Sequence, residues 1–323
     1  MAAFDYRCFR NADPPALVQV WNESMTSRGA AFLQGTSPLE YYLLAKGYFE
    51  PNSLMVAEER GKMVGFALAG FGADASGKDL NYEHGIISAV VVRPKYRRQG
   101  IGGELLHRAE AYLRSKGAKS IYFGGMRPLN PYFLGIYGGS ELPGVLRSDT
   151  TAEPFLLANQ YESWDSCAVL DRNLDGVVNV PDARFASIRK RFEVRILPRP
   201  VTTRWYDECV VAPLEILQFQ LQETTMKMTV AQANVWDMDL FGWRWHQPAA
   251  GVMDVEVHPN CRRQGLGKYL MVQIIRYLQD QFFAIIEVQA MNSNAAALSL
   301  YQALGFQKVD EGHVYRLKPE AMG

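Results

Sequence analysis

The chain has 323 residues, enough for two domains of ordinary size, and 48% of them are hydrophobic, so each domain can bury a core. Its 34 basic and 34 acidic residues leave a formal net charge of zero, which excludes a long-range attraction to nucleic acid or an anionic membrane. The four cysteines are scattered, so neither a metal site nor a disulfide framework is expected. With no apolar leader and no run of about 18 apolar residues, the expected location is cytoplasmic.

The first half predicts an alternation of strands and helices, since apolar stretches and stretches of helical periodicity follow one another between turn residues. Strands are predicted at 4–9, 53–59, 63–71, 86–92 and 120–123. Helices are predicted at 14–25, 37–48, 100–116 and 131–137. Asp13 and Ser37 stand where a side-chain oxygen caps the first turn of the helix that follows.

The second half predicts a similar succession of elements. Its strands are predicted at 163–174, 193–197, 215–223, 229–235, 252–257, 284–290, 307–309 and 313–317, and its helices at 182–192, 265–279 and 295–304. Which half owns the strand at 163–174 stays open, and the boundary near Asp175-Gly176 gives domains 1–175 and 176–323. Because no low-complexity linker separates the domains, they are expected to pack together.

One seven-residue segment occurs twice, and both copies follow an apolar strand that ends in proline and open an amphipathic helix. The copies are Arg97-Arg98-Gln99-Gly100-Ile101-Gly102-Gly103 and Arg262-Arg263-Gln264-Gly265-Leu266-Gly267-Lys268. Glycines let the backbone approach an anion closely, and a helix N-terminus supplies N–H donors and a partial positive charge. The repeat therefore predicts an anion-binding turn, suited to a pyrophosphate, in each half.

The pattern Arg/Gln-x-x-Gly-x-Gly at a strand–helix turn resembles the acetyl-CoA-binding signature of the GNAT N-acetyltransferase family. The resemblance implies an α/β (α+β) chain of two tandem GNAT-like domains, each a mixed, mostly antiparallel sheet flanked by helices. Such a tandem resembles the mycothiol synthase type of architecture. It also implies acetyl-CoA as co-substrate, no metal, and transfer of the acetyl group by direct attack of an amine, expected to belong to a small molecule.

The resemblance extends to positions beyond the two turns. The backbone N–H of Val257 would polarise the thioester carbonyl, and Asn294 would lie near the pantetheine arm. Their counterparts in the first half are Val92 and Asn130. Tyr137 follows Asn130 by seven residues, as a second tyrosine follows Asn294. The resemblance therefore assigns cofactor contacts to both halves.

The catalytic residues implied by the resemblance lie in the second half. Tyr301 is suited to protonate the leaving thiolate, and Glu256 is the candidate general base, with Asp254 expected on the same strand face. Shifting back by the repeat distance places Ala89 and Val91 opposite the two acids. The C-terminal domain is therefore expected to carry the chemistry, beside a modified N-terminal domain.

Several alternatives stay open at this point. The ending Asn-x6-Tyr-x-x-Leu-Gly-Phe also occurs in protein N-terminal acetyltransferases, and two binding turns would also suit an acyl-CoA sensor without turnover. Asn294 serves equally well as a helix cap, Tyr137 and Tyr301 as core aromatics, and Glu256 as a solvated strand residue. The expected partner is a small-molecule amine in a pocket between the halves, with no nucleic acid or membrane partner. The oligomeric state and the identity of the amine are not indicated.

Overall fold

The computed structural model describes residues 4–176 and 180–322, and within them thirteen strands join into one continuous sheet. The strands of the first half are β1 (Asp5–Cys8), β2 (Leu54–Glu59), β3 (Lys62–Ala73), β4 (Leu80–Val92), β5 (Ser120–Phe123), β6 (Val145–Leu146) and β7 (Tyr161–Asn173). Those of the second half are β8 (Phe192–Pro198), β9 (Ile216–Glu223), β10 (Thr229–Asp237), β11 (Ala249–Val257), β12 (Ile285–Met291) and β13 (Gln307–Leu317).

Helices flank this sheet, and the longest one in each half directly follows the repeated turn. The helices are α1 (Pro14–Ser24), α2 (Ser37–Leu39, continued by a wider turn at Glu40–Leu44), α3 (Ile101–Ser115), α4 (Ala152–Ala158), α5 (Phe185–Arg191), α6 (Trp205–Val211), α7 (Asp239–Trp245), α8 (Leu266–Asp280) and α9 (Ala295–Ala303). Both α3 and α8 have 15 residues and bury one apolar stripe, as their periodicity predicts. Within the described residues, no helix is long and apolar enough to cross a bilayer.

The strand order is β1-β2-β3-β4-β5-β13-β7-β12-β11-β10-β9-β8, with β6 paired to β13. Every neighbouring pair is antiparallel except β4–β5 and β11–β12. The strands of the two halves correspond in pairs, from β1 and β8 at the two edges to β13 and β7 at the centre. The strand order therefore reads the same from either edge of the sheet. The last strand of each half lies in the sheet of the other half, β13 beside β5 and β7 beside β12. The predicted fold of tandem, mostly antiparallel sheets flanked by helices is confirmed, while the boundary at 175/176 stays a prediction.

The two parallel pairs show how far the repeat extends into the structure. Ile87 and Phe123 form the last pair between β4 and β5, and Val252 and Val288 form the last pair between β11 and β12. Beyond these pairs β4 and β11 continue for five residues each, without β5 or β12 beside them. Each half therefore has a divergent pair of strands next to its glycine turn.

Side chains from both halves share one hydrophobic core. Tyr48 of the first half stacks on Tyr206 of α6, with ring centroids 5.1 Å apart. Lys46 is buried, and its ammonium group donates to the carbonyl oxygens of Cys209 and Val210 at 2.5 and 2.8 Å. The halves therefore pack together, as the missing linker predicts.

One predicted helix is wrong. Residues 131–137 form an irregular segment, in which Phe133 and Gly135 have φ values of +74° and +96°. Such left-handed residues interrupt the hydrogen-bonding pattern of an α-helix. The sequence also gave no signal for β6, α4, α6 and α7, which are short elements held by contacts with the rest of the molecule.

The two predicted helix caps are wrong in their chemistry. The Asp13 carboxylate accepts hydrogen bonds from Arg7 at 2.8 Å and from the Arg10 N–H at 2.7 Å, and does not cap α1. Thr36, not Ser37, holds the cap position of α2, and neither side chain bonds the first turn. In both places a competing partner or a shifted helix start removed the local interaction that the sequence suggested.

Candidate active site

The two glycine turns have nearly the same backbone geometry. Gly100 and Gly265 both have φ of +83°, and the preceding Arg98 and Arg263 have φ of +61° and +64°. Only glycine adopts the first of these conformations without strain, which explains its place at the start of α3 and α8. The first N–H groups of each helix have no partner within the helix and are free to bind an anion.

Other residues of the repeat brace the turn instead of facing a ligand. Arg97 Nε donates to Val92 O at 3.1 Å, and Arg262 Nε donates to Val257 O at 3.2 Å. The amides of the repeat's glutamines also bond main-chain carbonyls, and Ile101 and Leu266 are buried in the cores beneath their helices. The second arginine of each copy is exposed and carries the charge available to an anion.

A channel of about 390 Å³ begins at the first turn and runs to the aromatic core of the first half. Its far end is formed by Trp21 and Phe133, whose rings stack with centroids 5.3 Å apart. The predicted site residues that line it are Val92, Arg97, Arg98, Gly100, Gly102, Gly103 and Tyr137. Within the described residues, Ser24 Oγ and Ser88 Oγ have no hydrogen-bond partner although both residues line the channel. A glycine turn for phosphates, apolar walls and unsatisfied hydroxyls together fit the pantetheine arm of a coenzyme A thioester.

Tyr137 lies in this channel, but its hydroxyl group is occupied. It donates to Asp149 Oδ2 at 2.5 Å and accepts the N–H of Leu146 at 3.0 Å. Burial, together with the neighbouring Asp149 carboxylate, raises the pKa of Tyr137 well above its ordinary value, and burial also raises the pKa of Asp149. Asp149 had no sequence signal, because it follows an irregular segment.

Asn130 does not join Tyr137 in the channel, since it lies on a small cavity between the halves. The helix that packs on the start of α3 is α4, where Phe155 lies 3.3 Å from the position that a Cβ of Gly102 would take. In the second half Leu300 of α9 approaches Gly267 in the same way. Asn130 and Tyr137 therefore share the seven-residue spacing of Asn294 and Tyr301, but the two segments do not have the same structure.

The turn of the second half is covered by side chains from α5 and the residues before it. The Arg184 guanidinium carbon lies 3.0 Å from the position of a Cβ on Gly265. Asp182 pairs with Arg184 at 2.6 Å and with Lys268 at 3.6 Å, and hydrogen bonds from Arg184 hold the pKa of Asp182 well below its usual range. Cations therefore gather at this turn around one carboxylate, a charge pattern that suits a polyphosphate.

Tyr301 and Asn294 both lie on or beside α9, next to this turn. Asn294 caps the helix, accepting the N–H of Ala297 at 3.1 Å, which was one of the alternatives for this residue. Tyr301 is 5% exposed and packs against Phe306 at 5.5 Å between ring centroids. Burial raises the pKa of Tyr301 above its ordinary value, so the phenol is protonated at neutral pH.

The two acids on β11 share one face of the sheet but differ in surroundings. Glu256 is exposed and accepts a hydrogen bond from Gln232 at 3.3 Å. Asp254 is partly buried, pairs with Arg127 of the first half, and accepts from Asn234 at 2.9 Å. Asp254 has φ of +54° where the β10–β11 register shifts, so a bulge places its carboxylate beside the strand divergence.

A row of amide side chains continues from Asp254 across β10 and β9. Asn234 accepts from Gln218 at 3.2 Å, Gln218 accepts from Gln220 at 2.7 Å, and Gln220 accepts from Gln222 at 3.2 Å. Amides both donate and accept, so such a row satisfies itself and still offers hydrogen bonds to a ligand. The second half therefore presents a polar sheet face beside its divergent strands.

The sequence model of the Acetyltransferase (GNAT) family matches residues 17–137 and 230–306. The two glycine turns fall within these ranges, and the chain belongs to the GNAT acetyltransferase family. Enzymes with this fold use acetyl-CoA or another acyl-CoA as donor. In the described part of the chain, no group of three or more acidic, histidine or cysteine side chains is arranged to hold a metal ion.

Curated relatives and solved structures agree with a tandem arrangement. The mycothiol acetyltransferase of Renibacterium salmoninarum is 26% identical over 249 residues, 70% of this chain and 65% of that protein. The mycothiol acetyltransferase of Kytococcus sedentarius is 25% identical over 305 residues, 87% of this chain and 88% of that protein. A tandem GNAT protein from the clavulanic acid biosynthesis pathway is 14% identical, with a TM-score of 0.68 over 98% of this chain and 99% of that one. This last likeness concerns the fold.

Proposed function

We propose that the chain transfers an acetyl group from acetyl-CoA to the primary amine of a small molecule, and that the C-terminal repeat carries the chemistry. One difference between the halves supports this assignment. Beside the divergent strands, the second half has Asp254 and Glu256 where the first half has Ala89 and Val91. Carboxylates at this place attract the ammonium group of an acceptor, which must lose a proton to a nearby base before it attacks a thioester.

In this proposal Tyr301 donates a proton to the leaving sulfur, and the N–H of Val257 polarises the thioester carbonyl. The turn 262–268 binds the pyrophosphate, and Arg184 either moves aside or adds a cation to the bound phosphates. The first half binds a second acetyl-CoA in its channel without transferring it. The engaged hydroxyl of Tyr137 and the absence of an acid at 89 and 91 support this division.

The acceptor enters from the polar face of the second half, where the halves meet. Both relatives described above are named mycothiol acetyltransferase, which supports a small-molecule amine as acceptor but, at 25–26% identity, does not extend to a particular one. The row of amides on β9 and β10 favours an acceptor with uncharged hydrogen-bonding groups beside its amine.

The test is an assay of the full chain with acetyl-CoA and three sets of acceptors: polar primary amines, hydroxylated amines such as amino sugars, and a library of peptides with free N-termini. Release of free thiol and the mass of the product report the transfer. We expect acetylation of small amines. Acetylation of peptides alone would instead support a protein N-terminal acetyltransferase, and tight acetyl-CoA binding without any product would support a sensor.

A further inference from the structure

Residues 138–141 of the first half lie against the sheet of the second half. Glu287 of β12 is fully buried, and its carboxylate accepts the N–H of Ser140 at 2.6 Å. Trp236 of β10 donates its Nε1–H to the carbonyl oxygen of Ser140 at 3.2 Å. A Cβ on Gly139, which has φ of +105°, would collide with the Glu287 carboxylate, so glycine permits this approach. The segment is held on both sides.

The same segment places Glu141 where β11 and β12 diverge. Gln289 of β12 donates to the carbonyl oxygens of Gly138 and Glu141 at 3.0 and 2.9 Å. Gln289 directly follows Val288, the last residue of β12 that pairs with β11. Val288 belongs to the core beneath α8, and side chains alternate along a strand. Glu141 therefore lies on the opposite face, which is the polar face described above.

A cavity of about 20 Å³ adjoins Glu141 and is lined by residues of both halves. Arg127 and Asn130 come from the first half, and Asp207 and Met253 come from the second. Met253 is the first residue of β11 beyond the last pair with β12. A volume of this size admits one water molecule, which has polar partners here. Glu141 is itself half-buried, so its carboxyl can exchange a proton with solvent.

Burial raises the pKa of the Glu141 carboxyl to about 7, the Asp254 carboxylate adds to the rise, and the Arg127 guanidinium opposes it. Five charged or titratable groups face Glu141. They are Arg127, which precedes the segment 138–141, Asp254 on β11, Asp207 on α6, Tyr301 on α9 and Cys167 on β7. A carboxyl that is half ionised near neutral pH is well matched to accept a proton from an acceptor amine.

We propose that Glu141, a residue of the first half, is the general base for acetyl transfer in the second half. The inference rests on the proposed function and deepens it. The geometry carries it, because three side chains of the second half fix the segment 138–141 so that Glu141 lies at the strand divergence on the acceptor's side. Glu256, by contrast, is exposed and lies three residues beyond the first unpaired position of β11.

The proposed step balances as follows in protons and electron pairs. The Glu141 carboxylate takes one proton from the acceptor ammonium, and the neutral nitrogen forms a bond to the acetyl carbonyl carbon. The carbon–sulfur bond breaks, its electron pair leaves with the sulfur, and Tyr301 protonates that sulfur. The nitrogen loses its second proton, which restores Tyr301. The proton on Glu141 then passes to solvent, so that one proton is released per turnover.

The experiment compares Glu141→Gln with Glu256→Gln in the full chain, using acetyl-CoA and the best primary amine from the acceptor panel. Glu40→Gln, on the exposed surface, is the matched control. We expect Glu141→Gln to lower kcat by about 10²- to 10⁴-fold and to remove the acidic limb of kcat/KM against pH, which should have an apparent pKa near 7 in the unmodified chain. The KM for acetyl-CoA and the thermal unfolding profile should not change. Glu141→Asp keeps a carboxyl and should keep the limb.

Three results would overturn the proposal. The first is a Glu141→Gln variant with kcat within about threefold of the unmodified chain. The second is loss of the acidic limb in Glu256→Gln in place of Glu141→Gln. The third is a raised KM for the amine with unchanged kcat, which would make Glu141 an ammonium-binding charge and no base. If the unmodified chain transfers acetyl to no acceptor, the proposed function itself fails and the base assignment falls with it, whereas the three results above leave that function standing.

Discussion

Single side chains around the strand divergence differ more between the halves than the backbone does. In the first half a tyrosine hydroxyl is held by Asp149, and the strand carries Ala89 and Val91. In the second half Tyr301 is buried against Phe306, and acids occupy the strand. The two halves have similar backbones at this place, so a few side-chain differences decide which half can catalyse the transfer. Single-residue variants can test this assignment.

The role of Tyr301 predicts a large loss of rate in one conservative variant. Tyr301→Phe keeps the ring that packs against Phe306 and removes only the hydroxyl, so folding should be preserved while kcat falls by about 10²-fold or more. Steady-state kinetics of acetyl transfer check this. Tyr112→Phe, which removes a hydroxyl of α3 that donates to Glu50 at 3.2 Å, is the control and should retain the rate. Undiminished turnover in Tyr301→Phe would remove this residue from the mechanism.

At the scale of elements, the strand–turn–helix unit is used twice with the same backbone and different surroundings. Among the residues that the structure describes, none lies within 4 Å of a Cβ on Gly100, whereas Arg184 lies against that position on Gly265. A side chain at either glycine would suffer about 1–2 kcal/mol of backbone strain and would fill the space through which a pyrophosphate approaches. Matched substitutions can therefore separate the two binding sites.

Calorimetric titration with acetyl-CoA should give two sites per chain. Gly100→Val should remove one of them and keep acetyl transfer, because the channel of the first half is not the proposed site of chemistry. Gly265→Val should remove the other and abolish transfer. If transfer instead disappears in Gly100→Val and survives in Gly265→Val, the chemistry belongs to the N-terminal half.

The carboxyl of Glu287 predicts a pH-dependent stability. Burial and the neighbouring Asp171 raise the pKa of Glu287, and Arg28 opposes the rise. Because the pKa of Glu287 is higher in the folded than in the unfolded state, the folded state binds the proton more tightly. The carboxyl's contribution to the free energy of unfolding is therefore complete below about pH 4 and is lost as the pH rises through the raised pKa. Glu287→Gln still accepts the N–H of Ser140 and does not titrate. Its free energy of unfolding in urea should fall less from pH 5 to pH 9 than that of the unmodified chain or of exposed Glu162→Gln, and equal slopes would contradict the assignment.

Elements with a strong local signal were predictable, and those defined by distant contacts were not. The glycine turns, α3, α8 and most strands follow from glycine positions and hydrophobic periodicity within a few residues. The exchange of β7 and β13 does not, because an antiparallel strand with the same apolar pattern can pair in either sheet. The place of Glu141 depends on Glu287 and Gln289, about 150 residues away, so no local pattern indicated it.

At the scale of the whole molecule, the exchanged strands and the shared core join the repeats into one unit. The β7–β13 ladder runs from Tyr161 to Asp171 on one strand and from Gln307 to Leu317 on the other. Neither repeat can complete its sheet without the other, and Lys46 and Tyr48 pack directly on α6. A fold built in this way should lose its structure in one step.

Differential scanning calorimetry of the full chain should therefore show one transition, with van't Hoff and calorimetric enthalpies that agree. The fragment 1–175 should not fold alone, because β5 would lack β13 at its side, and mixing it with 176–323 should restore the native sheet. Two separate transitions, or a folded 1–175 fragment that binds acetyl-CoA, would show that the halves are independent.

The palindromic strand order has a consequence for ancestry. Two identical subunits around a two-fold axis, each lending its last strand to the other, form this same order with one self-complementary set of contacts. Fusing such a pair needs a connection from the last strand of one copy to the first strand of the next, and Gln279 of α8 bonds the carbonyl oxygens of Leu174 and Gly176 where this connection begins. Once both copies are in one gene, mutations can change each copy separately. One copy can then keep the reactive strand β11, while the other contributes the segment 138–141 that packs beside it.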